Sequence, residues 1–136
     1  FIPILTEYTN QSKINFKNFE LNIIEASEQS ERLSIPTLDK IIKLDDLVNN
    51  FPSERGLVFC DEGNKNLPTI FNALINKTEK YKKWAVIIGP EGGFSEKERS
   101  TIFSLPSCIS VSLGKRILRS DTATTAAIFS IQSVIE

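Results

Sequence analysis

Two segments of this chain carry residue types and spacing that could do chemistry. The first is Ile88-Gly89-Pro90-Glu91-Gly92-Gly93-Phe94-Ser95, in which three glycines and a proline dictate an unusual backbone path and let a ligand come close to the main chain. The second is Leu113-Gly114-Lys115-Arg116-Ile117-Leu118-Arg119-Ser120-Asp121-Thr122-Ala123, where three cations within five residues alternate with Ile117 and Leu118. Such a loop reads either as a solvated basic turn before a capped helix or as a phosphate grip with an apolar wall. Glu91 and Asp121 are the carboxylates within these segments that could accept a proton. Arg116 and Arg119 are cations that could hold a developing negative charge. The first loop lacks the GK[ST] ending of a P-loop and is not a GxGxxG fingerprint, so ATP or NAD binding has no support.

Both loops follow apolar runs that read as buried strands, Trp84–Ile88 and Cys108–Leu113, and Gly56–Cys60 is a third such run. Ser95–Glu98 (SEKE) has the form of a capping box opening a helix, and Asp121–Ile135 reads as a closing helix, with Ser120 or Asp121 as its cap. Earlier, Phe1–Leu5 reads as a short buried strand, residues 6–17 as a polar loop and Phe19–Arg32 as a helix with Glu25, Gln29 and Arg32 on one face. Lys40–Leu44 reads as a strand and Asp45–Asn50 as a helix. Pro68–Ile75 reads as a helix with proline in its first turn, followed by a charged link, Lys77–Lys83. Strands alternating with helices predict an α/β fold with a parallel sheet, whose carboxyl edge is where ligands bind.

Composition narrows the chemistry. The 136 residues suffice for one domain. The formal net charge of −1 does not suit a generally basic nucleic-acid coat. Zinc sites and histidine catalysis are excluded by the absence of histidine and of any CxxC pair. Cys60 and Cys108 read as buried free thiols, which suit a reducing cytoplasm. No apolar run approaches the length of a membrane span, so no membrane partner is expected. The chain has no methionine and starts inside an apolar run, which predicts a fragment preceded by further sequence.

Together the two loops are far more specific than either alone. GPEGGFSxxE followed by LGxRILRxDTA resembles the ribosomal RNA small subunit methyltransferase E family, of the SPOUT class of knotted methyltransferases. Phe1–Glu7 and Glu25–Arg32, the latter followed by Ile35-Pro36, look like the family's opening strand and EAxEQxxR helix. Glu31 departs from the pattern, which has a small residue there, often glycine, and Asp121 stands where glutamate is commoner. The resemblance implies a parallel sheet flanked by helices with a deep C-terminal trefoil knot, residues 1–136 forming the SPOUT domain. It also implies an absent N-terminal PUA-type RNA-binding domain, a homodimer, and methyl transfer from S-adenosylmethionine to N3 of a uridine in 16S rRNA of the small ribosomal subunit, with no metal.

By the same resemblance, Phe59, Asp61 and Glu62, then Ile88, Gly89, Pro90, Gly92 and Gly93, then Leu113, Gly114, Ile117 and Leu118 hold the cofactor. Arg119, Glu91 and Arg116 carry catalysis, and Arg32, Lys115 and Arg116 contact RNA. Alternatives of other kinds are a related SPOUT enzyme with another RNA target and a domain that binds cofactor or RNA without catalysis.

Overall fold

The structure is a computed structural model that describes residues 1–10, 14–64 and 66–135. Its elements run β1 (Ile4–Leu5), α1 (Phe16–Gln29), β2 (Ile42–Lys43), α2 (Leu44–Asn49), β3 (Arg55–Cys60), α3 (Ile70–Leu74), β4 (Lys83–Ile87), α4 (Glu96–Phe103), β5 (Cys108–Val111) and α5 (Ser120–Ile135). The expected α/β architecture is present, but as two parallel sheets. β1 pairs with β2, and a three-stranded sheet runs in the order β4-β3-β5.

β3 is central because its residues suit burial on both faces, and successive side chains point to opposite sides. Val58 joins Ile109, Val111, Leu74, Ala127 and Ile131 in a core beneath α3 and α5. Leu57 and Phe59 join Ile87, Leu44, Val48 and Ile102 in a second core beneath α2 and α4. Gly56 is opposite Trp84 in the β3–β4 register, and the indole lies on it: a Cβ there would come within 2.6 Å of Cε3. Because β3, β4 and β5 are parallel, their carboxyl ends open on one edge, and the segments after all three converge there.

Several expected boundaries shift for local reasons. α1 starts ahead of Phe19 because the Asn15 side chain accepts the Asn18 N–H at 3.2 Å. It ends at Gln29, and Glu31 takes a left-handed φ of 53°. That is the conformation for which glycine is preferred after a helix, so glutamate is strained here. Residues 11–13, within the expected 6–17 loop, lie outside the described residues.

Pro68 stands before α3 and not in its first turn, since Thr69 is the cap. Tyr81, within the expected charged link, is buried and packs edge-to-face on Trp84, 5.5 Å between ring centroids. β5 ends at Val111 because Ser112 turns to bridge Thr69, its N–H donating to the Pro68 carbonyl at 2.9 Å. Phe1 and Ile2 are exposed and outside β1, so the expected buried strand shrinks to two residues.

Candidate active site

A cavity of about 390 Å³ opens where the segments after β3, β4 and β5 meet. It is built from the chain outward as follows. Beyond β3, Asp61 donates its N–H to the Val111 carbonyl at 3.1 Å, which ties this segment to β5. The Asp61 carboxylate is buried. Its Oδ1 accepts the Gly63 N–H at 3.1 Å and its Oδ2 pairs with Arg99 Nη2 of α4 at 2.7 Å.

Beyond β4, the Gly93 N–H donates to the Pro90 carbonyl at 2.8 Å. Gly93 takes φ 69°, and a Cβ there would lie 2.9 Å from Glu62 Oε1. A Cβ on Gly89 would meet the Phe94 ring at 2.8 Å, and one on Gly92 would meet Tyr8 Cβ at 2.9 Å, so this backbone path is close-packed on both sides. Ser95 and Glu98 complete the expected capping box at the start of α4.

Beyond β5, Ser112 Oγ accepts the Gly114 N–H at 3.1 Å, after which Lys115, Arg116 and Ile117 are exposed. The chain returns at Ser120, whose Oγ donates to the Gly89 carbonyl at 3.2 Å. That bond joins the third wall to the second.

Most residues singled out in the sequence meet here. Asp61 and Glu62 line the cavity, as do Ile88, Gly89, Pro90, Glu91, Gly92 and Gly93. Leu113, Gly114, Lys115, Arg116, Ile117, Leu118 and Arg119 form the remaining wall. Phe59 does not line it. Its ring is fully buried, edge-to-face with Phe94 and Phe103 at 5.3 and 5.4 Å, because it faces the α4 side of the sheet beneath the cavity. Arg32 also lies outside the lining, exposed beyond α1, with Nε donating to the Ser34 carbonyl at 3.4 Å.

Glu91 is exposed, and no hydrogen bond to its carboxylate is found among the described residues, so it does not brace its loop. Asp121 is outside the cavity. Its Oδ1 accepts the N–H of the adjacent Thr122 at 2.7 Å, and this bond holds its carboxyl below the usual range, which weakens it as a base. Among the described residues, neither Ser120 nor Asp121 makes the usual cap bond two or three residues on.

Seven cavity residues were not among the site residues read from the sequence: Gly63, Phe94, Arg99, Ser112, Ser120 and Ala123 are brought in by packing, and Cys60 closes β3. Burial pushes the Cys60 thiol up to about 12, so it is neutral and no nucleophile. No group of three or more metal-ligating side chains is present among the described residues, and no helix there is long and apolar enough to cross a membrane.

A ligand cavity at the carboxyl edge of a parallel sheet, with one backbone-built wall and one cationic wall, defines an α/β ligand-binding domain of an enzyme type. The chain belongs to the RNA methyltransferase domain family, which it matches over residues 1–132. It is 31% identical over 131 residues to the ribosomal RNA small subunit methyltransferase E of Rickettsia conorii, covering 96% of this chain and 52% of that one. It is 30% identical to the Synechocystis protein of the same name, over 100% of this chain and 45% of that one. The chain thus spans about half the length of the curated relatives it matches.

Among solved structures, a Legionella pneumophila methyltransferase in complex with SAM superposes with a TM-score of 0.80 at 28% identity, over 97% of this chain and 54% of that one. The Neisseria gonorrhoeae ribosomal RNA small subunit methyltransferase E bound to S-adenosyl methionine superposes with a TM-score of 0.73 at 29% identity, over 96% of this chain and 53% of that one.

Proposed function

We propose that this chain is the cofactor-binding domain of an S-adenosylmethionine-dependent methyltransferase that modifies N3 of a uridine in 16S rRNA of the small ribosomal subunit. The observation that carries this reading is the cavity itself. Its volume of about 390 Å³ is in the range of sites for cofactor-sized molecules. Ile88, Leu113, Ile117 and Leu118 offer apolar walls to a nucleoside, and the glycine-rich segment 88–93 offers unobstructed main-chain groups to its polar edge. Carboxylates at Glu62 and Glu91 suit a cationic ligand. The residues therefore fit S-adenosylmethionine, the ligand of the Legionella and Neisseria structures.

When bound, that cofactor supplies a methyl group already activated by a sulfonium. The protein's work is then to align the acceptor and manage one proton and one charge. Uridine N3 must lose its proton as the methyl arrives. Glu91, exposed at the cavity and free of internal hydrogen bonds among the described residues, is the side chain available to take it. Arg119 and Arg116 stabilise the charge that develops on the uracil oxygens, being permanently protonated and bidentate. Lys115, Arg116 and the more remote Arg32 hold RNA phosphates.

The reading extends to the whole protein. Residues 1–136 form its SPOUT domain, with a PUA-type RNA-binding domain in the sequence before it. The Ser120–Gly89 bond, which holds the segment after β5 against the segment after β4, agrees with a trefoil knot. The exposed α5 residues Ile128, Phe129 and Ile135 offer an apolar surface for a homodimer. A cytoplasmic location follows from the substrate.

Calorimetric titration with S-adenosylmethionine, S-adenosylhomocysteine and ATP tests the cofactor. Binding of the first two without the third is expected, and a folded dimer that binds neither overturns the reading. Incubation of the protein with small-subunit RNA and mass mapping of the product tests the target. A methyl group on a ribose or on another base would reassign the reaction.

A further inference from the structure

We propose that Glu62 is the carboxylate that takes the positive charge of the bound cofactor, and that Asp61 and Arg99 are positioning residues that hold it there. The inference rests on the cofactor reading above and assigns a role within the same cavity. Three carboxylates line that cavity: Asp61, Glu62 and Glu91. Asp61 is already committed, one oxygen to Arg99 and the other to the Gly63 N–H. Glu91 is exposed on the loop after β4. Glu62 is exposed as well, but its Oε1 reaches from the β3 segment to the buried Gly93 of the facing loop, 2.9 Å from where a Cβ would stand. Among the described residues it forms no ion pair, although Lys115, Arg116 and Arg119 are on another wall of the same cavity. A carboxylate that reaches between two walls of the cavity without a cation of its own suits a ligand that brings one.

What aims Glu62 is the residue before it. Arg99 crosses from α4 to the buried Asp61, and its guanidinium lies against Gly63, where any side chain would collide with Nη1. Arg99 Nε is buried without a hydrogen-bond partner, so the guanidinium is oriented for Asp61 and not for its own satisfaction. Asp61 in turn fixes the Gly63 N–H. Glu62 is therefore clamped on both sides in the sequence, and the clamp is built from a helix that follows the facing loop.

The test titrates wild type, Glu62→Gln and Arg99→Ala with three ligands. S-adenosylmethionine carries a sulfonium and an ammonium, S-adenosylhomocysteine the ammonium alone, and 5′-methylthioadenosine neither. Glu62→Gln is expected to weaken S-adenosylmethionine about tenfold while 5′-methylthioadenosine changes less than about twofold. A parallel loss with S-adenosylhomocysteine identifies the ammonium as the contact, and no loss identifies the sulfonium. Equal loss for all three ligands, or none, overturns the assignment. Arg99→Ala is expected to reproduce the same selectivity loss, with Arg99→Lys recovering part of it. Wild-type selectivity in Arg99→Ala overturns the positioning role. Should Arg99→Ala not fold, Asp61→Asn combined with Arg99→Leu leaves no buried charge unpaired and is expected to show the same selectivity loss. A wild type that binds none of the three removes the cofactor reading itself, a result distinct from binding that ignores Glu62.

Discussion

The two loops that face each other across the cavity are built to different standards. The segment after β4 is held at several points: Gly93 bonds Pro90, Ser120 bonds the Gly89 carbonyl, Phe94 packs on Gly89 and Phe59, and Tyr8 lies against Gly92. The segment after β5 has its Ser112–Gly114 contacts and then runs exposed, with Ile117 at 70% of its full exposure and nothing within 4 Å of a Cβ built on Gly114. The difference separates two tasks. On the proposed function, the closely held wall is the one that presents main-chain groups to the small cofactor, and the open wall is the one that carries its cations outward toward RNA.

The sharpest way to break this contrast is Gly93→Ala. The left-handed φ disfavours any side chain, and a methyl group would push the Glu62 carboxylate off Gly93, so stability is expected to fall by about 1–3 kcal/mol in a denaturant titration, with cofactor affinity falling more than about tenfold. An unchanged midpoint would mean that the packed wall yields easily. Glu98→Ala comes next, with an expected loss of about 1–2 kcal/mol, because one side chain closes the capping box and also accepts the Glu7 N–H. Gly114→Ala is the control on the open wall. It carries φ 119°, outside the left-handed well open to other residues, but meets no neighbour, so backbone strain alone should cost about 1–3 kcal/mol while cofactor affinity changes less than about threefold. A loss of affinity equal to that of Gly93→Ala would erase the distinction.

The smallest effect concerns Cys60 beneath both walls. Its thiol is raised to about 12 when folded, so the unfolded chain releases this proton first. Its contribution to stability should be complete below the ordinary thiol value and decline as pH rises toward 12. Comparing wild type with Cys60→Ala across that range measures it, and identical pH profiles would mean an accessible thiol.

Much of this was legible because it is local. Buried β-rich runs announced β3, β4 and β5, and SEKE announced α4 by its own two bonds. What escaped depends on distant partners. Arg99 looks like any charged residue in the second turn of a helix, and only folding brings it to Asp61, 38 positions earlier. Phe59 was placed in the cavity by the family resemblance, together with Asp61 and Glu62 close behind it. The alternation along β3 instead turns its ring to the opposite face. Pro68 was read as the first turn of a helix, and Thr69 took the cap in its place. Glu31 is the reverse case: a small residue is the common choice there, and the left-handed backbone gives the reason.

The Glu98 side chain spans more than a cap. One oxygen accepts the Ser95 N–H at 2.9 Å, and the other accepts the Glu7 N–H at 2.7 Å, from 91 residues earlier in the chain. The ligand loop therefore takes its final form only when residue 7, 91 positions earlier in the chain, docks against the start of α4. Closing so long a stretch is entropically costly and slows folding. Binding competence should accordingly appear as a late kinetic phase, after the central sheet has formed and when residues 6–9 dock.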